Sequence, residues 1–224
     1  MTRIERAVSV ALALCALQAR GQPAPAAAPE ATSVSSPATG LPAAPAWAFS
    51  ASVYAYFPPD GPDYLQPTVT ADRGALHLEA RYNYEASRTG SFWVGWNLSA
   101  GETLKLEFTP MVGGVFGDTR GFAPGYTGTL AWWNLQFYSQ GEWVIDLDDS
   151  SASFFYTWSE LALAPAEWLR LGLAVQRTKL YQTERDVQRG FLAGFTFGKV
   201  GLTGYVFNPD DAHPTAVLAA AVSF

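Results

Sequence analysis

Charged and amide side chains recur at every second residue through the middle of the chain. His77, Glu79, Arg81 and Asn83 alternate with Leu78, Ala80 and Tyr82. Lys105 and Glu107 alternate with Leu104, Leu106 and Phe108. Asn97, Gln136, Glu142, Glu160, Arg170, Gln176 and Gln188 stand in similar positions, several of them opposite rows of Leu, Phe and Val. A spacing of two places each set on one side of an extended strand. If the apolar sides face lipid, the charged sides face one another, where they must pair or be hydrated. Two chemistries fit: a polar pore whose charges select solutes, or an ion-paired plug. Tyr54, Tyr56, Trp93, Tyr138, Tyr156 and Trp158 share the inward side and narrow the opening.

A second set is acidic and lies between the apolar rows: Asp60, Asp63, Asp118, Asp148, Asp149, Asp186, Asp210 and Asp211. Clustered carboxylates bind hard divalent cations, and Asp also serves turn chemistry. Asp148, Asp149, Asp210 and Asp211 are the expected acidic rim. There are two histidines. His213, in P-D-D-A-H-P, sits beside Asp210 and Asp211, and a histidine oriented by carboxylates activates water; the same hexapeptide reads equally as a turn. His77 follows the Arg73-Gly74 turn, far from that rim. No metal-binding His pair, no G-x-S-x-G and no phosphate loop occurs, so no metal, cofactor or catalytic set is expected.

The elements that position these residues are strands. Twelve period-2 segments are predicted, at roughly 47–57, 64–72, 75–86, 91–99, 103–112, 125–132, 134–147, 152–163, 167–179, 187–197, 200–208 and 215–224. A ten-strand count follows if the sixth and seventh are wrongly divided. Connections after even-numbered segments are short, such as Arg73-Gly74 and Gly198-Lys199; those after odd-numbered segments are mostly longer or more polar. Gly113 to Pro124 is expected as the long loop, either folded inward as a constriction or exposed. A soluble β-sandwich or lipocalin-like barrel also alternates, but it would hide the leucines and expose Glu79, Arg81, Lys105 and Glu107. Twelve apolar rows exceed what one soluble core absorbs. Trp47, Phe57, Tyr64, Trp96, Trp132, Trp143, Trp168 and Phe224 fall near segment ends, where interfacial girdles sit.

Residues 1–21 read as a secretory signal: Arg3 and Arg6, then the apolar stretch Ala7 to Leu17, then Ala19-Arg20-Gly21. Ala24-Pro25-Ala26 is a second cleavage candidate. The only cysteine, Cys15, lies in the apolar stretch after the bulky Leu14, which disfavours a lipoprotein site. Residues 22–46 are rich in Ala and Pro and form an expected periplasmic tether. Removing residues 1–21 leaves 11 basic and 19 acidic residues, a net charge of −8. That balance argues against nucleic acid as a partner.

The segment from Thr215 to Phe224, T-A-V-L-A-A-A-V-S-F, alternates and ends on an aromatic residue. It resembles the terminal strand of bacterial outer-membrane β-barrels. Residues 47–224 resemble small barrels of that class, whose twelve-stranded members include narrow solute channels and the outer-membrane phospholipase. The resemblance implies an all-β, up-and-down transmembrane barrel in contact with membrane lipid and lipopolysaccharide. It implies delivery by the outer-membrane assembly machinery through Phe224, and porin-like passage of small hydrophilic solutes or ions. A non-conducting structural or adhesion barrel is the alternative. Asp210, Asp211 and His213 loosely resemble the arrangement in omptin proteases, which makes an outer-leaflet hydrolase the third reading. His77 has the wrong height and face for a phospholipase-like site.

Overall fold

The computed structural model describes residues 45–180 and 186–224. The expected signal peptide and nearly all of the expected tether lie outside the described residues. The rest is antiparallel sheet. In chain order the strands are β1 (Ala48–Phe57), β2 (Tyr64–Arg73), β3 (Leu76–Tyr82), β4 in two pieces (Thr89–Trp96 and Leu98–Ala100), β5 (Leu104–Gly117), β6 (Gly121–Trp132), β7 (Leu135–Asp146), β8 (Phe154–Ala166), β9 (Leu169–Leu180), β10 (Asp186–Phe197), β11 (Val200–Phe207) and β12 (Thr215–Ser223). A single turn of 3-10 helix, Ser150–Ala152, is capped by the Asp149 carboxylate.

Every strand pairs with the next, and β1 pairs with β12 from Ser50↔Ser223 to Phe57↔Ala216. The ladder runs on to the chain end, where Phe49 and Phe224 exchange backbone hydrogen bonds of 3.1 and 2.9 Å. The sheet is a closed twelve-strand barrel with no free edge. The seam strand β12 is rich in alanine, with Ala216, Ala219, Ala220 and Ala221 facing Phe57, Tyr54, Val53 and Ser52 of β1. The twelve-strand count is therefore the right one, and the sixth and seventh segments are separate.

The barrel is apolar outside. Leu98, Leu104, Leu171, Leu173, Val94 and Phe92 are all exposed, while Arg81, Glu142 and Glu160 on the opposite faces are buried. Such a surface is stable against lipid and not against water. Aromatic pairs stack near one rim, Trp47 on Phe49, Trp132 on Trp133 and Trp168 on Phe195. That rim carries the tight turns; the other carries the longer loops. No described helix is long and apolar enough to cross a membrane.

Two boundaries differ from expectation. Gly113 to Pro124 is not a loop, since β5 continues to Gly117 and β6 begins at Gly121. Its glycines have another cause. The Trp93 indole lies directly over Gly113, where a β-carbon would be only 2.5 Å from the ring, and it also lies over Gly125. Glycine there makes room for a ring. Pro124, which has no N–H, sits where the ladder to β7 lapses between Phe122 and Gly125.

The third segment, expected to reach residue 86, stops at Tyr82. Asn83 takes a left-handed φ of 55° and Arg88 one of 53°. The Asn83 amide oxygen accepts from the Arg88 N–H at 2.8 Å, and the Asn83 backbone N–H donates to the Thr89 carbonyl at 2.8 Å. Asn tolerates this conformation because its side chain satisfies the turn locally.

Candidate functional site

The inner face divides into two sectors. One comes from β2 to β5 together with β7, the other from β1 and β8 to β12. In the first, alternation along β3 points His77, Glu79 and Arg81 inward. Arg81 is the hub, its side chain 3 % exposed. Its Nε donates to Glu79 at 2.6 Å and its Nη1 donates across the lumen to Glu142 of β7 at 2.7 Å. Its Cζ lies 4.4 Å from the Tyr84 ring centre and 4.5 Å from that of Trp93. A guanidinium between two aromatic faces keeps cation–π attraction where water is excluded.

Two inner residues come from outside the strands. The 83–88 loop turns back into the barrel mouth. Tyr84 packs edge-on against Tyr156 at 5.7 Å and accepts a hydrogen bond from Gln140 Nε2. Glu85 is enclosed, accepts from Ser91 Oγ at 2.5 Å, and lies 3.9 Å from Arg81 Nη1. This loop, and not Gly113 to Pro124, narrows the lumen. Alternation along β3 cannot reveal it, because the strand has already ended.

Toward the turn rim the chemistry is more open. His77 contacts carboxylates with both ring nitrogens, Asp72 at 2.8 Å and Glu79 at 3.1 Å. Asp72 also accepts from Asn97 Nδ2 at 2.7 Å, and the Asn97 carbonyl accepts from Thr109 Oγ1 at 2.7 Å. These bonds draw the Asn97 side chain inward at the break in β4. A hollow of about 560 Å³ opens here, lined by Asp72, His77, Asn97, Ser99, Glu107 and Thr109. Glu107 and Lys105 share the inward-facing side of β5 with buried Met111, and both are solvent-exposed near the rim.

The second sector is aromatic. Trp158 packs edge-on against Tyr54, Tyr205 and Phe207, and Val217 seals the layer. Its carboxylate, Glu160, is saturated: Trp158 Nε1 donates at 2.9 Å, Tyr205 at 2.7 Å, and Arg170 pairs at 3.1 Å. Arg170 also donates to Gln136 at 3.3 Å, and Gln176 donates to Gln188 at 2.5 Å. A second hollow, about 300 Å³, lies between Tyr54, Gln136, Tyr138, Glu160, Arg170 and Tyr205.

Of the residues expected inside, His77, Glu79, Arg81, Asn97, Gln136, Glu142, Glu160, Arg170 and Gln176 meet in these two sectors. Asn83 does not. It sits in the turn after β3 and donates to the Leu65 carbonyl at 3.2 Å, because its left-handed backbone ends the alternation that would have aimed it inward. Asp72, Tyr84, Glu85 and Ser91 join the site without having been expected there. Asp72 was legible as the inward partner of Thr68 and Thr70 along β2.

At the loop rim three of the acidic residues are engaged by arginines. Arg88 pairs with Asp118 at 2.6 Å, Arg120 with Asp148 at 3.6 Å, and Arg189 with Asp210 at 2.6 Å. Asp149 binds the Ser151 amide and hydroxyl, which hold its carboxyl below the ordinary range. Asp210 is likewise lowered, by its hydrogen bond from Arg189. Asp211 and His213 are exposed, and among the described residues no hydrogen bond joins His213 to Asp210 or Asp211. Among the described residues no cluster of His, Cys, Asp and Glu is arranged to hold a metal ion.

No protein-family model matches the chain, and no curated protein matches it. Solved structures do. A KdgM porin superposes with a TM-score of 0.55 at 10 % identity, covering 78 % of this chain and 99 % of that one. A KdgM porin in complex with disordered oligogalacturonate gives a TM-score of 0.56 at 9 % identity, covering 78 % and 99 %. At this identity the shared property is the fold.

Proposed function

We propose that this chain is an integral outer-membrane barrel that passes small hydrophilic solutes or ions passively. The observation that carries the proposal is the inverted polarity of a closed barrel: an apolar outer band around an inner face bearing Glu79, Arg81, Glu142, Glu160 and Arg170, hollowed toward the turn rim. A wall built to stay shut needs no open hollow lined by Asp72, His77, Asn97 and Glu107. The signal-like residues 1–21 and the porin-like fold support an outer-membrane location. Membrane lipid and lipopolysaccharide then contact the outer band, and Phe224 serves assembly. Lys105, Glu107 and Gln136 stand at the turn-side entrance, with Gln176 toward the loop rim.

A second reading, the non-conducting barrel, is favoured by one specific observation. Between the hollows and the loop rim, Trp93, Val144, Trp158, Phe207 and Val217 are almost wholly excluded from solvent. In the channel reading, passage there requires the Tyr84 ring to swing aside from Tyr156 and Gln140. Single-channel recording of the refolded protein in a planar bilayer separates the two. Discrete conductance steps support the channel. Silence from protein whose heat-modifiable gel migration certifies a folded barrel overturns it in favour of the structural barrel.

A further inference from the structure

The basic side chains of the inner face are already spoken for in the packed region. Arg170 is held by Glu160, and Arg81 by Glu79 and Glu142. The loop-rim arginines, Arg88, Arg120 and Arg189, are each bound by an aspartate. An incoming anion therefore finds these five arginines already paired.

Carboxylates are in excess. Glu79 and Glu142 bind one guanidinium between them, and Glu85 lies against the same Nη1 at 3.9 Å. The Glu85 and Glu142 side chains are 0 % and 3 % exposed. One oxygen of each, Glu85 Oε2 and Glu142 Oε1, is enclosed and has no hydrogen-bond partner. Buried carboxylate oxygens are almost always satisfied, and two orphans beside one arginine mark a place where positive charge is missing. The remaining neighbours of Arg81, namely Tyr84, Trp93 and Met111, bring no positive charge. His77 is committed to Asp72 and Glu79.

We infer that Glu85 Oε2 and Glu142 Oε1 form a recognition point for a small cationic group, an inorganic monovalent cation or a primary ammonium, and that the solutes passed are cationic. The statement about solutes rests on the channel reading; the site does not. A site of this kind serves passage when it attracts a cation yet holds it loosely enough to let it leave. Oligogalacturonate, seen with a KdgM porin, is a polyanion, opposite in sign to what this inner face complements. The shared fold does not carry a shared ligand.

The test is the reversal potential of the reconstituted protein across a potassium chloride gradient, repeated with methylammonium chloride. The parent protein is expected to favour cations. Glu85→Gln is expected to lower the cation-to-chloride permeability ratio at least roughly fivefold, the effect of one charge acting at about 4 Å under the full dielectric screening of water, and Glu85→Asp to restore part of it. Selectivity for potassium alone assigns the site to inorganic ions; selectivity for both admits amines. A conducting parent with no preference for cations overturns the inference while leaving the channel intact. A folded but silent barrel overturns the channel, and the site is then read by equilibrium dialysis of rubidium against the detergent-folded protein. Rubidium bound by the parent and released in Glu85→Gln sustains it; no binding ends it. Should Glu85→Gln fail to fold, Glu142→Gln is read in the same two assays.

Discussion

The two sectors of the inner face fill similar space by different means. The aromatic sector closes by packing: Trp158, Tyr54, Tyr205, Phe207 and Val217 interlock, and Glu160 receives three donors. The charged sector closes by pairing around Arg81 and leaves two enclosed oxygens unsatisfied. Packing there satisfies the carboxylate it buries. Pairing at unequal stoichiometry cannot. The difference separates a wall from a place built to meet something.

The largest effect that would sharpen the contrast is in the charged sector. Arg81→Met leaves Glu79, Glu85 and Glu142 without their cation and should destabilise the barrel by about 3–5 kcal/mol, measured by urea unfolding in detergent. Adding Glu142→Leu to that variant should lower the loss, because an uncompensated charge leaves with it; a double variant as unstable as the sum of the singles would break the comparison. Trp158→Ala should cost about 3–4 kcal/mol through its cavity, and no second substitution in its sector should recover that loss. Gly113→Ala pushes against the Trp93 ring and should cost about 1–3 kcal/mol.

The smallest effect lies at the rim. Arg189→Ala should leave stability nearly unchanged, since the pair is exposed and screened by solvent. The Asp210 carboxyl is held below its ordinary value in the folded protein. Whatever the pair adds is therefore present above the unfolded carboxylate range and fades as pH falls through the lowered value. The parent and Arg189→Ala should converge in acid, a difference readable in thermal melts across pH.

Alternation made the barrel legible. Leu76 to Tyr82 and Leu104 to Phe108 placed their charged residues on the correct side, and the alanine-rich end found its partner in β1. What escaped was non-periodic. Asn83 looked like one more inward position because composition does not reveal φ. Gly113 looked like loop because a glycine reads the same whether the chain turns or a ring crosses it. Glu85 was hidden for the same reason as Tyr84: a loop entering a lumen leaves no period in the sequence. The long-range pairing of Arg81 with Glu142, four strands away around the wall, needs the barrel's curvature before it can be seen.

The seam between β1 and β12 has a kinetic consequence. All other strand neighbours are adjacent in sequence and zip as local hairpins, whereas Ser50 meets Ser223 only after the intervening chain has been brought round. That contact carries the greatest loop-closure entropy in the molecule. The alanines along β12 offer little side-chain surface to nucleate it. Closure thus depends on backbone hydrogen bonds formed late, and an unsealed sheet, open along this one line, is the form in which the chain is most exposed to mispairing.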